Sequence, residues 1–208
     1  MKIGIVDYKD CNILSIYSSI INLGEKVDIL TSYKDLKKYD MLVLPGVGAA
    51  KNAMTYLKKE GFYESILEFN QKQKKILGIF LGKQIFGKKL YENGETDGFG
   101  FFNANVIELG KKNSNLKTHI GWKKIIIEKE DSYINLKNNL SFYFCHSYYM
   151  DFIDRNDPCI IGNIELKEKI PVIIKNKNII GVQFHPEKSQ TNGINFFKDF
   201  IDKKLYDF

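Results

Sequence analysis

Short apolar runs and segments of helical period alternate through the first half of the chain. Residues 2–7 (KIGIVD) form an apolar run bounded by polar residues, the pattern of a buried strand. In 12–23, Ile13, Ile16, Tyr17, Ile20 and Leu23 share one helical face, and Gly24 follows as a stop. KVDIL and DMLVLPG read as the next strands, and 48–59 and 62–72 as helices. KKILGIF (74–80) reads as a strand and 83–91 as a helix. This strand–helix alternation predicts an α/β fold, an open and mostly parallel sheet with helices on both faces.

The second half is richer in strands: ANVIEL, WKKIIIEK, SFYFCHSYY, PCIIGNI, IPVIIKN and NIIGVQF. They predict extra antiparallel strands, with Asn176-Lys177-Asn178 as a hairpin turn. A last helix is expected over 190–203, with Ile194, Phe197 and Ile201 along its inner stripe. Without repeat, low-complexity linker or composition break, residues 1–208 read as a single domain.

Composition changes this picture little. A net charge of +6 raises the question of nucleic acid, but the lysines are scattered (Lys37-Lys38, Lys58-Lys59, Lys88-Lys89, Lys123-Lys124) and read as solvated surface. The three cysteines, Cys11, Cys145 and Cys159, are too widely spaced for a disulfide framework or a metal pair, which favours a reducing compartment. The first residues run straight into a strand without a signal-peptide core, and no apolar run is long enough to span a bilayer. A cytoplasmic protein without nucleic-acid or membrane partners is expected.

Three segments carry candidate chemistry. GIFLGKQ (78–84) ends a strand and enters a helix with Gly78 and Gly82 at the offsets of a nucleophile elbow. There a helix N-terminus and free backbone N–H groups favour anions. Alone, the two glycines read equally as tight strand–helix packing. GVQFHPEKS (181–189) puts His185 and Glu187 two apart, on one face of an extended segment, as a base oriented by a carboxylate requires. Alone, it could be a solvated turn. LPGVGAA (44–50) could offer N–H groups to an oxyanion or be a plain turn.

Together with DYKDCNILSI (7–16), HIGWKK (119–124) and FYFCHSYY (142–149), these segments resemble the class I glutamine amidotransferases. More closely they resemble the glutaminase subunit of imidazole glycerol phosphate synthase, in order and over essentially the whole chain. The resemblance implies a flavodoxin-like three-layer fold and a cysteine thiolate that attacks the glutamine amide and releases ammonia. A barrel-fold cyclase subunit, the partner in a heterodimer, then consumes that ammonia in histidine biosynthesis. No cofactor and no metal are implied. His185 maps to the base and Glu187 to its orienter. Gly46, Gly48 and Leu81 map to the oxyanion region, and Gln84, Glu92, Ser147 and Tyr148 to the residues around bound glutamine. His119, Trp122 and Tyr143 fall in motifs near the active site or partner face.

Phe80 occupies the cysteine position. It has no nucleophilic atom, and its ring would fill the space of the glutamine amide. At an elbow with positive φ a bulky residue costs roughly 1–3 kcal/mol, which a relaxed turn would avoid. The family's two glycines are gone from Tyr8-Lys9-Asp10-Cys11-Asn12, Lys83 stands in place of methionine, and Thr118 in place of proline. Cys11 is the candidate substitute thiol, whereas Cys145 reads as a buried structural one. Two readings follow. One is a glutaminase subunit with absent or very low activity. The other is an inactive paralogue that docks on or regulates an ammonia-using synthase or a surface-sugar amidotransferase.

Overall fold

The structure, a computed structural model, describes residues 1–9, 12–111, 116–129 and 136–201. The first half contains β1 (Lys2–Val6), α1 (Ile13–Ile21), β2 (Lys26–Leu30), β3 (Met41–Leu44), α2 (Ala50–Lys59), α3 (Phe62–Gln71), β4 (Lys75–Ile79) and the one-turn α4 (Leu81–Gln84). Next come β5 (Lys89–Leu90), β6 (Thr96–Asp97), β7 (Ala104–Glu108), β8 (His119–Lys124), β9 (Ile126–Ile127) and β10 (Ser141–His146). The chain continues with β11 (Tyr148–Phe152), β12 (Ile160–Glu165), β13 (Lys169–Asn176), β14 (Ile179–Val182), a 3-10 turn Pro186–Lys188 and α5 (Gln190–Ile201).

The main sheet is eight-stranded in the order β2-β1-β3-β4-β14-β13-β12-β9. Its first five strands run parallel, and β13, β12 and β9 extend it antiparallel. Side chains alternate across it as a period of two demands. Ile3, Ile5, Met41, Val43, Leu77 and Ile79 face the layer of α1 and α5, where Ile16, Ile20, Phe196, Phe197 and Phe200 meet them. Leu42, Leu44 and Ile76 face α2 and α3, against Met54, Leu57, Phe62 and Ile66. The expected α/β sheet with an antiparallel extension is thus present, and Lys177, with φ of 50°, turns the β13–β14 hairpin.

Four expectations are corrected. The helix expected over 83–91 stops at Gln84. The carbonyls of Ile85 and Phe86 accept from Phe99 and Phe102 instead of continuing a helix, and Lys88 N–H goes to Ala104. WKKIIIEK is two strands in two sheets, because Ile125 turns into the core between β8 and β9. SFYFCHSYY likewise splits at Ser147, with β10 in a ribbon with β8 and β11 in a sheet with β7, β5 and β6. In α5 the inner stripe is Gly193, Phe196, Phe197, Phe200 and Ile201, while Ile194 is 47% exposed. Residues 202–203 of that expected helix, and Asp10 and Cys11, lie outside the described residues.

Candidate active site

β3, β4 and β14 end side by side, and the loops that leave them carry the site. Phe80 follows β4 with φ of 52° and ψ of −104°, so the turn keeps its strained conformation and is not relaxed. Its N–H donates to Val182 O at 2.7 Å, which pins it to the end of β14. The approach of α4 to β3 leaves no room for a side chain at Gly82, where a Cβ would lie 1.9 Å from Leu44 O. Gly46 lies equally close to Leu81, with a Cβ there 2.7 Å from Leu81 N. The two oxyanion candidates Gly46 and Leu81 therefore meet. Gly48 sits exposed farther along the loop, with φ of 94°.

His185 and Glu187 follow β14. The His185 side chain is 2% exposed, and its Nδ1 donates to Glu187 Oε1 at 2.8 Å. Asn12 Nδ2 donates to the same oxygen. With Nδ1 committed, Nε2 is the nitrogen left to take a proton. The imidazole stacks on Phe80, ring centroids 4.8 Å apart and planes 24° apart. His185, Glu187 and the turn at Phe80 are thus assembled around a phenyl ring.

Gln84 is buried, and its Nε2 donates to Tyr148 O at 3.0 Å. Glu92 Oε2 accepts from Ala50 N–H at 2.7 Å, where it caps α2, whose own N-cap position holds Ala49. Burial, then the Glu108 and Glu92 carboxylates, hold the Tyr148 hydroxyl above its usual pKa. Gln84 and Tyr148 thus meet. Ser147 is turned to Thr118, with the two hydroxyls 2.9 Å apart.

The three histidines of the chain gather here, a feature that sequence reading left unused. His146 Nδ1 donates to Tyr148 O at 3.0 Å, which leaves Nε2 to accept from His119 Nδ1 at 3.4 Å. Burial, aided by the nearby His119, Lys83 and His185, pushes the His146 pKa down to about 3, so it stays neutral. Burial and Lys123 also hold His119 below its ordinary value. Asn12 and Lys83 were visible only as motif members, because spacing along a turn does not say which side chains reach Glu187 or the core. Cys145, expected to be buried, is half-buried, since it shares the outer face of β10 with Ser141 and Tyr143. Among the described residues no cluster of His, Cys, Asp and Glu could hold a metal, and no helix is long and apolar enough to cross a membrane.

Comparison with known proteins agrees with this architecture. The family model for glutamine amidotransferase class-I matches residues 4–204. Imidazole glycerol phosphate synthase subunit HisH of Caldanaerobacter subterraneus is 36% identical over 199 residues, covering 95% of this chain and 96% of that one. Subunit HisH 1 of Campylobacter jejuni is 38% identical over 201 residues, covering 95% and 98%. A solved structure of PurLQS from Thermotoga maritima superposes with a TM-score of 0.77 at 18% identity, covering 96% of this chain and 97% of that one. The chain belongs to the class-I glutamine amidotransferases, as a subunit of the HisH type.

Proposed function

We propose that this chain, by family the glutaminase subunit of imidazole glycerol phosphate synthase, hydrolyses glutamine at a very low rate or not at all. It would act as a docking subunit for a barrel-fold synthase that uses free ammonia. The observation that carries this reading is Phe80, seated at the elbow with its ring stacked on His185.

Acyl transfer at this elbow needs a nucleophile that gives its proton to His185, forms a thioester and expels ammonia. Phe80 offers no proton and no lone pair. Loss of a triad nucleophile costs about six orders of magnitude in turnover in a well-studied protease. The His185–Glu187 hydrogen bond, the Gly46–Leu81 contact and the Gln84–Tyr148 hydrogen bond support a reading in which the nucleophile is the part that is missing. Gly46, Gly48 and Leu81 are assigned to the oxyanion region, and Gln84, Glu92, Ser147 and Tyr148 to the amino-acid pocket. A reducing, cytoplasmic setting suits the free thiols of Cys145 and Cys159.

The test is ammonia release from glutamine by the purified chain with its barrel partner, run beside Phe80→Cys. The expected result is a silent native protein and a variant that turns over. Turnover by the native protein would overturn the reading and direct attention to Cys11.

A further inference from the structure

Lysine and arginine together number 31 in this chain, and all but one are lysine. The exception is Arg155. Arginine differs from lysine in its planar fork of five N–H donors, which fits carboxylate and phosphate oxygens in pairs. Among the described residues Arg155 spends little of that fork. Its Nη2 donates to Glu168 Oε2 at 3.0 Å. The other carboxylate oxygen, Oε1, takes the Tyr149 hydroxyl instead, at 3.3 Å. The Arg155 side chain is 57% exposed, and a single contact there is one that lysine makes as well. The ion pair alone therefore gives no reason for arginine.

What surrounds Arg155 does. It lines a cavity of about 430 Å³ between β11 and the β12–β13 hairpin, a volume in the usual range for small-molecule sites. None of the residues of the candidate active site lines it. Phe152 and Pro158 give it apolar wall. Its carboxylates are engaged within the fold. Glu128 accepts from Lys169 at 2.9 Å, Asp157 from the Cys159 N–H at 2.8 Å, and Asp151 has an interaction of its own. Two of its cations have capacity left. Beside the Arg155 guanidinium stands Lys129, whose amine has no acceptor among the described residues. The unspent chemistry of the cavity is thus N–H donors and positive charge, next to apolar surface. We propose that this cavity binds a small organic anion. A carboxylate or phosphate head sits on the Arg155 fork and Lys129, and an apolar body lies against Phe152 and Pro158. The site shares a wall with the elbow, because Pro171 lines it and Pro171 O holds the Lys83 amine.

The site is tested by calorimetric titration of the purified full chain at neutral pH and constant ionic strength. The probes are phenyl phosphate, benzoate, inorganic phosphate and the uncharged benzamide. The expected result is saturable binding of phenyl phosphate or of benzoate, and the tighter of the two identifies the head. Inorganic phosphate and benzamide should bind at least about tenfold more weakly, since each lacks one half of the ligand. Arg155→Lys keeps the charge and the pairing with Glu168 but removes the fork, and should raise the Kd at least about tenfold. Lys129→Gln should raise it as well. Absence of saturable binding by both aromatic anions would overturn the proposal. So would inorganic phosphate binding as tightly as phenyl phosphate, the behaviour of exposed cations that hold any ion. An Arg155→Lys variant that binds as the native protein does would also overturn it. The readout is binding at a place apart from the elbow, so the outcome does not depend on whether the chain hydrolyses glutamine.

Discussion

Lys83, three residues after Phe80, has no access to water at all. Its amine is held by Pro171 O at 2.7 Å and Gln183 Oε1 at 3.1 Å. Burial pushes its pKa from 10.5 down to about 7. The sign for stability follows from proton counting. Between pH 7 and 10.5 the unfolded chain binds a proton that the folded chain does not, so stability rises with pH in that window. Below about 7 both states bind it, and this group adds no further dependence. One proton gives a slope of at most about 1.4 kcal/mol per pH unit. Lys83→Met keeps the volume and removes the proton. Urea midpoints at pH 7, 8 and 9 should therefore rise in the native protein and flatten in the variant. Parallel slopes would show that Lys83 is charged as easily in the fold as in the unfolded chain. The sequence shows Lys83 as a departure from the family but not its burial, for a lysine after an apolar run reads as solvated. What makes room is distant in sequence: Gly181, where a Cβ would lie 2.8 Å from the lysine Cγ.

At the scale of elements, the parallel half was legible, apart from the helix expected over 83–91, because its strands are short apolar runs and its longer helices present apolar stripes. The antiparallel half was less so. A continuous apolar run such as SFYFCHSYY gives no sign that it changes sheets at Ser147, because both strands are apolar and only their pairing differs. The stripe of α5 was misread at Ile194 for a related reason: the inward position is Gly193, which carries no hydrophobic signal. A Cβ on Gly193 would lie 1.8 Å from Pro186 O. Alanine normally improves a helix interior by about 1 kcal/mol over glycine. Here Gly193→Ala should destabilise instead, by roughly 1–3 kcal/mol, because the turn that carries His185 and Glu187 must move. A denaturation midpoint above that of the native protein would refute this contact. The start of α2 offers a second check. Glu92 substitutes for the missing N-cap side chain, so Glu92→Ala should cost about 1 kcal/mol in urea unfolding, with or without any glutamine present.

At the scale of the whole molecule, the β8–β10 ribbon is the feature that the core does not explain. One of its faces packs Phe142 and Phe144 inward. The other leaves Ile120 64% and Trp122 47% exposed, with Trp122 edge-on to Tyr143 at 6.1 Å. The ribbon is tied to the triad side of the sheet, since His185 N–H donates to Tyr143 O and Tyr143 N–H to Ser189 Oγ. A partner seated on this face would lie next to His185 and Glu187, whether it collects ammonia made at the elbow or is only stabilised by docking. Adjacent exposed aromatic and aliphatic side chains of this kind are where binding energy concentrates in interfaces. Trp122→Ala should weaken binding to the proposed barrel-synthase partner at least about tenfold in calorimetric titration. The isolated chain should melt as before, because half of the indole is already in water. Under the docking reading, the loss should appear as a higher concentration of this subunit needed to stimulate the ammonia-fed partner, with the plateau rate unchanged. If the Kd of Trp122→Ala equals that of the native protein, the partner sits on another face, and the exposed ribbon needs a different explanation.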